Sequence, residues 1–167
     1  MAATIRYPQI PRDWDSRFLL LARQVAGWSK DPSTKVGAVA VRDRRILATG
    51  YNGFPAGVRD DPMILSNREL RLASTVHAEA NVIAYAARDG VCLLGSTIYI
   101  WPLAPCSQCA CKLIQAGIAS IVFPRYVMPM RWEENFRLAR KNLVEAGVGI
   151  RTVEIPYGPL DHASPDD

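Results

Sequence analysis

His77-Ala78-Glu79 and, further along the chain, Pro105-Cys106-Ser107-Gln108-Cys109 gather four chemically potent side chains into two short motifs. One imidazole and two thiolates can hold a zinc ion tetrahedrally and leave its fourth position to a water, which is the pattern of a catalytic site; a structural site is closed by a fourth side chain. Glu79 stands two residues from a ligand, where it can reach that water without binding the ion. The chemistry open to such a set is hydrolysis, with an ionised water as nucleophile and a carboxylate to move its proton.

The spacing predicts how the four are presented. With Ser74 to Ala87 as a helix, His77 lies near its start and Glu79 points about 200° round from it, across the mouth of the site rather than onto the metal. Pro105 suits the first turn of a second helix. Cys106 and Cys109, three apart, then share a face near helix-terminal N–H groups that favour both thiolates. An isolated C-x-x-C also serves as a redox pair, and a structural histidine can stand beside a glutamate by chance. Here the two motifs support each other: the chain has two histidines, and the second, His162, lies in a Pro/Asp-rich tail. Cys111 turns off the metal face and reads as a small packing residue, and Cys92 reads as core.

The elements that must carry these motifs follow from periodicity. Trp14 to Ser29 has the spacing of an amphipathic helix, with Asp13 or Asp15 as its cap. Val36 to Val41 and Arg45 to Thr49 are short β-type runs joined by the Arg42-Asp43-Arg44 turn. Gly50 to Pro62 reads as a loop and Leu65 to Leu72 as a short helix. Ser96 to Trp101 is a strand delivering Pro105, Pro105 to Ala116 a helix, Ser120 to Phe123 a strand, Trp132 to Ala146 a helix and Ile150 to Ile155 a last strand. Alternating strands and helices predict an α/β fold, a three-layer α/β/α sandwich around a central mixed sheet of about five strands. A chain of 167 residues, 49% hydrophobic, is expected to form one domain with its core over about 14–155 and a flexible tail over 156–167.

Met1 to Pro11 lacks a basic region followed by an apolar run, and no stretch is long and apolar enough to span a bilayer, so no membrane role and a cytoplasmic location are expected. Four cysteines, two of them in a metal motif, fit a reducing compartment. The net charge of +4 comes from scattered arginines without a basic run or interleaved aromatics. That pattern speaks against a polynucleotide track and suits a small phosphorylated substrate.

Beyond the two motifs, Ser29-Lys30-Asp31-Pro32-Ser33-Thr34-Lys35-Val36-Gly37-Ala38, Gly50-Tyr51-Asn52-Gly53-Phe54-Pro55 and Ile114-Gln115-Ala116-Gly117 complete a resemblance running from about Trp14 to Gly147. The chain resembles the deoxycytidylate (dCMP) deaminases of the zinc-dependent cytidine deaminase superfamily. The resemblance implies one catalytic Zn²⁺ on His77, Cys106 and Cys109, and hydrolysis of dCMP to dUMP and ammonia. A zinc hydroxide would attack C4 while Glu79 shuttles protons. It further implies that backbone groups at Ala78 and around Pro105 orient the base and that the Asn52 amide meets the sugar; the other reading of Asn52 is a left-handed turn residue before glycine. Ser33 and Lys35 are candidates for the 5′-phosphate, against a plain surface turn and a solvated charge. Val58 stands where some relatives carry a cysteine, so a second, structural zinc is not expected. Trp101 to Ala104 replaces a small polar run bordering the base, which keeps a 5-substituted cytosine open as substrate.

The resemblance admits dCTP and dTTP as effectors through the Gly50 to Gly57 loop. It implies a homo-oligomer, with Trp132 and Phe136 as apolar residues beyond core needs. The alternatives within enzymes are another nucleoside, a base, a modified deoxycytidylate or a tRNA adenosine. Outside them, the alternative is a non-catalytic zinc module that binds nucleotides.

Overall fold

The computed structural model describes residues 11, 13–126 and 130–155. Five strands form one mixed sheet, β1 (Gly37–Arg42), β2 (Arg45–Tyr51), β3 (Thr97–Trp101), β4 (Ser120–Pro124) and β5 (Gly149–Val153), in the spatial order β2-β1-β3-β4-β5. β1 runs antiparallel to both β2 and β3, whereas β3, β4 and β5 are mutually parallel. Parallel neighbours need crossovers. These are supplied by α5 (Ser107–Gln115) between β3 and β4 and by α6 (Glu133–Glu145) between β4 and β5.

Strand alternation divides the core into two layers. Val39, Val41, Tyr99, Trp101 and Val122 face α1 (Trp14–Ala26), which packs Phe18, Leu19, Ala22, Val25 and Ala26 against them. Ala38, Ala40, Ile98, Ile100 and Ile121 face the other side and meet α4 (Ala78–Arg88), α5 and α6 through Val82, Ala86, Ala110, Leu113, Ala139 and Leu143. The three-layer sandwich expected from the sequence is the one found. Asp13 caps α1, its carboxylate accepting from Ser16 N at 2.7 Å.

Several boundaries differ from the sequence reading. The helix expected over Ser74 to Ala87 is two elements: α3 (Arg68–Ser74) ends, Thr75 and Val76 run extended, and α4 begins at Ala78 with His77 as its N-cap. The break has a backbone cause, because Val76 and Gly53 exchange both of their hydrogen bonds, at 2.8 and 3.1 Å, and a helical Val76 could not. The segment read as Leu65 to Leu72 also divides, into α2 (Pro62–Ser66) and α3; Asn67 ends the first and caps the second by accepting from Leu70 N at 3.1 Å. Pro105 lies outside its helix, since Cys106 is the N-cap of α5 with extended φ −68° and ψ 168°. Gly50 and Tyr51 belong to β2 rather than to the loop. Cys92 is exposed, and its neighbour Leu93 is the residue that fills the core. The expected tail over 156–167 lies outside the described residues.

Two glycines set how closely the helices approach. A Cβ on Gly37 would stand 2.2 Å from Ala22 O in α1, and one on Gly50 would stand 2.5 Å from Ala78 O in α4. Any side chain at Gly50 would therefore push away the helix start that carries His77 and Glu79.

Candidate active site

The sheet register brings three strand ends to one place. Gly37 opposes both Tyr51 and Trp101, so the chain entering β1, the chain leaving β2 and the chain leaving β3 are neighbours. A cavity of about 160 Å³ opens there, lined among others by Asp31, Ser33, Thr34, Asn52, His77, Ala78, Glu79 and Cys106. It lies beyond the carboxyl end of β3, the usual place for a site in an open sheet with parallel strands. α4 is fixed over it by Asn81, whose Nδ2 donates to Tyr51 O at 2.7 Å.

His77 Nδ1 is 3.5 Å from Cys106 Sγ and 3.4 Å from Cys109 Sγ, and the three ligand atoms lie within 4.8 Å of one another. With Zn–S near 2.3 Å and Zn–N near 2.05 Å, a tetrahedral ion requires N···S separations of about 3.6 Å. The donor set and its geometry are thus compatible with one zinc ion, and among the described residues no other such group occurs. The cluster favours the ionised form of one thiol. The hydrogen bond from Cys109, together with His77, pulls the Cys106 thiol well below its ordinary range, while the Cys106 sulfur and burial push Cys109 up. Two adjacent anions repel, so the two thiols shift in opposite directions. A hydrogen bond with Cys106 raises the His77 pKa against its burial.

Glu79, in the first turn of α4, is 4% exposed, and burial raises its pKa. It lines the same cavity as His77 and Cys106. Asn52 is buried and is not a left-handed turn residue: among the described non-glycine residues only Asp43 and Arg44 have positive φ. Its Oδ1 accepts from Val36 N at 2.7 Å and its Nδ2 donates to Thr34 O at 2.8 Å, so the amide is aimed by the backbone entering β1 and keeps one N–H to spare. Ser33 lines the cavity within a turn in which Asp31 Oδ1 accepts from Ser33 N and Thr34 N at 2.8 and 3.0 Å. Lys35 is exposed and is not among the lining residues. Ala78 lines the cavity; Pro105 instead borders a neighbouring cavity of about 260 Å³ beneath α6.

The structure adds three residues to which the sequence analysis gives no site role, Arg68, Arg71 and Arg131, all of which line the cavity. Leu103 and Ala104, from the segment expected to border the base, line it too, as do Trp132 and Phe136, offered by the sequence to a subunit interface. Tyr126 accepts from Ala104 N at 3.2 Å and so holds the loop that delivers Cys106. The spacing of Arg68 and Arg71, one helical turn apart and just ahead of His77, was the available signal for the two arginines.

A three-ligand zinc cluster with a buried carboxyl beside it, set at the strand ends of this sandwich, marks an enzyme of the hydrolytic deaminase class. The family model described as the cytidine and deoxycytidylate deaminase zinc-binding region matches residues 12–124, and the chain belongs to that family. An uncharacterized deaminase of the luxG 3′ region of Aliivibrio fischeri is 39% identical over 150 residues, covering 89% of this chain and 95% of its own length. The deoxycytidylate deaminase of Mycobacterium phage D29 is 38% identical over 125 residues, covering 68% and 95%. The deoxycytidylate deaminase of Saccharomyces cerevisiae is 34% identical over 91% of this chain, which spans 48% of that protein. In fold, the chain resembles the dCMP deaminase of cyanophage S-TIM5 crystallised with dCMP and dUMP, with TM-score 0.68, 21% identity and coverage of 87% of this chain and all 100% of that one.

Proposed function

We propose that the protein hydrolyses dCMP to dUMP and ammonia. The observation that carries this reading is the placement of the buried Glu79 carboxyl in one cavity with His77 and Cys106. The relatives named deoxycytidylate deaminase, 38% and 34% identical, support dCMP as the substrate.

A zinc ion held by His77, Cys106 and Cys109 supplies, when bound, a Lewis acid that ionises a water near neutral pH. Glu79 would accept a proton from the attacking water and pass it to N3 of the cytosine as oxygen adds at C4, then carry the proton of the new C4 hydroxyl to the amino nitrogen, so that C4=O forms, the C4–N bond breaks and ammonia leaves. Burial strengthens the carboxyl's hold on a proton between these transfers. The spare N–H of Asn52 meets the sugar, and the backbone at Ala78 and Ala104 orients the base. Leu103 and Phe136 supply apolar surface for the ring and help keep water from it. Ser33 offers its hydroxyl to the phosphate, while Lys35 is exposed and is not among the lining residues.

Ammonia release from dCMP should exceed that from deoxycytidine, cytosine and 5-methyl-dCMP, and a strong preference for the unphosphorylated nucleoside would overturn the substrate. Glu79→Gln should retain zinc and lose about 100-fold or more in kcat, the range for removing a general acid–base group. Undiminished turnover in that variant removes Glu79 from the mechanism.

A further inference from the structure

We propose that Arg71, flanked by Arg68 and Arg131, is the seat of the substrate's phosphate monoester and sets the preference for nucleotide over nucleoside. The inference rests on the reading of the cavity as a pyrimidine nucleotide site and names the residues that make it one. Three guanidinium groups line the cavity and two carboxyl groups oppose them, Glu79 and Asp31. Glu79 is buried beside the metal ligands. Asp31 is committed to its own turn through Oδ1, leaving Oδ2 at 3.7 Å from Arg71 Nε. Two carboxyl groups against three guanidinium groups still leave this wall with an excess of positive charge.

Arg71 is the unusual member. Its side chain is 11% exposed, its Nη1 donates to Leu65 O at 2.6 Å, and its Nε is buried without a hydrogen-bond partner. Burying a guanidinium with a donor unmet is costly unless a ligand compensates. An anion in the cavity would do so, because the planar fork of arginine matches two phosphate oxygens at once. Arg68 lies one turn earlier on α3 and, like Arg131, has no ion pair among the described residues, so both are available to a dianion. The neighbouring lysines are elsewhere: Lys30 pairs with Asp60, and Lys35 is outside the lining. Charges gathered into a cavity, rather than strung along a groove with aromatic residues between them, fit a mononucleotide and not a polynucleotide.

The test is the ratio of kcat/KM for dCMP to that for deoxycytidine in the wild type, Arg71→Gln, Arg71→Lys, Arg68→Gln and Arg131→Gln, with zinc content and Tm measured for each. Loss of one charged hydrogen-bonding partner should lower the ratio about 10-fold to 100-fold in Arg71→Gln and less in Arg71→Lys. An unchanged ratio in well-folded, zinc-loaded variants overturns the proposal. If Arg71→Gln does not fold, the Arg71→Lys and Arg68→Gln ratios decide. Calorimetry separates this proposal from the catalytic reading: the wild type should bind dUMP more tightly than deoxyuridine, and the arginine variants should narrow that gap. Tight dUMP binding without dCMP turnover sinks the reaction and leaves the phosphate seat standing; turnover with equal binding of dUMP and deoxyuridine does the reverse. Deamination of a single-stranded oligonucleotide in preference to dCMP, lost in the same variants, would reassign the arginines to a polynucleotide and overturn the proposal.

Discussion

Asn135 should control zinc affinity although it touches no metal ligand. Cys106 occupies the N-cap of α5, a position whose side chain ordinarily accepts from the first turn, yet it makes no such bond because its sulfur belongs to the cluster. The missing acceptor comes from α6: Asn135 Oδ1 accepts from Ser107 N at 2.9 Å, and its Nδ2 donates to Ser107 Oγ at 3.1 Å. Ser107 is 8% exposed, so Asn135→Ala leaves a largely buried N–H without a partner, a loss of about 1–3 kcal/mol. Whatever part of that loss falls on apo and zinc-bound protein alike cancels from the dissociation constant. The remainder is the part by which Asn135 holds Cys106 in ligating position; were it the whole, zinc would bind about 5-fold to 150-fold more weakly, overlapping the 10-fold to 100-fold typical of such outer partners. Competition with a chromophoric chelator measures the constant, and thermal unfolding of the apo protein measures the common part. Asn135→Asp, which keeps an acceptor at a helix N-terminus, should restore most of the affinity. A lower apo Tm in Asn135→Ala with an unchanged zinc constant would refute the reasoning and reduce Asn135 to a packing residue.

Gly50→Ala should displace the start of α4, since its Cβ would meet Ala78 O at 2.5 Å and Val82 N at 2.7 Å. A fall in zinc stoichiometry and in Tm is expected, with overpacking of this kind costing about 1–3 kcal/mol. Acid stability should depend on Asp15, which accepts from Tyr99 Oη at 2.8 Å and from Arg151 Nε at 2.9 Å; the bond from Arg151, first, and that from Tyr99 lower its pKa. Because the folded carboxyl binds its proton less tightly than the unfolded one, the contribution is whole above the ordinary value of 3.8 and disappears as pH falls through the lowered value. Asp15→Asn should therefore lose about 1 kcal/mol at pH 7, and the gap from the wild type should narrow steadily as the pH is taken below 3.8, as read by urea midpoints. Cys109→Ser should abolish tight zinc binding and, by elemental analysis after dialysis, leave less than a tenth of the metal bound.

The metal cluster was legible because its chemistry needs particular atoms: a nitrogen, two sulfurs and a carboxyl cannot be replaced without changing what the site does. The order of strands and helices was legible because the runs at 38–41 and 98–101 are short, continuously apolar, rich in β-branched and aromatic residues and bounded by polar segments, as strands buried on both faces are. What the sequence reading missed depends on contacts between distant segments. Arg71 reads as one more surface arginine until the register of β1 against β2 and β3 brings the turn at Asp31 within 3.7 Å of it. Trp132 and Phe136 read as spare apolar surface until α6 places them at the cavity.

The helix starts show why the boundaries beside the site were placed too early. His77 caps α4 and Cys106 caps α5, and neither position is filled by an ordinary oxygen cap that hydrogen-bonds the first turn. Each helix thereby starts without a contribution worth about 1 kcal/mol. In return, both ligand side chains are freed to converge where the two helices begin. The anchoring passes to neighbours: the Gly53–Val76 pair and Asn81 secure the first start, and Asn135 secures the second. A helix-start search by residue type looks for serine, threonine, aspartate or asparagine at the cap, so it slides past His77 and Cys106 and draws both helices too early. The anchoring residues are 28 positions away for Asn135 and in the segment after β2 for Gly53, and only the fold brings them there.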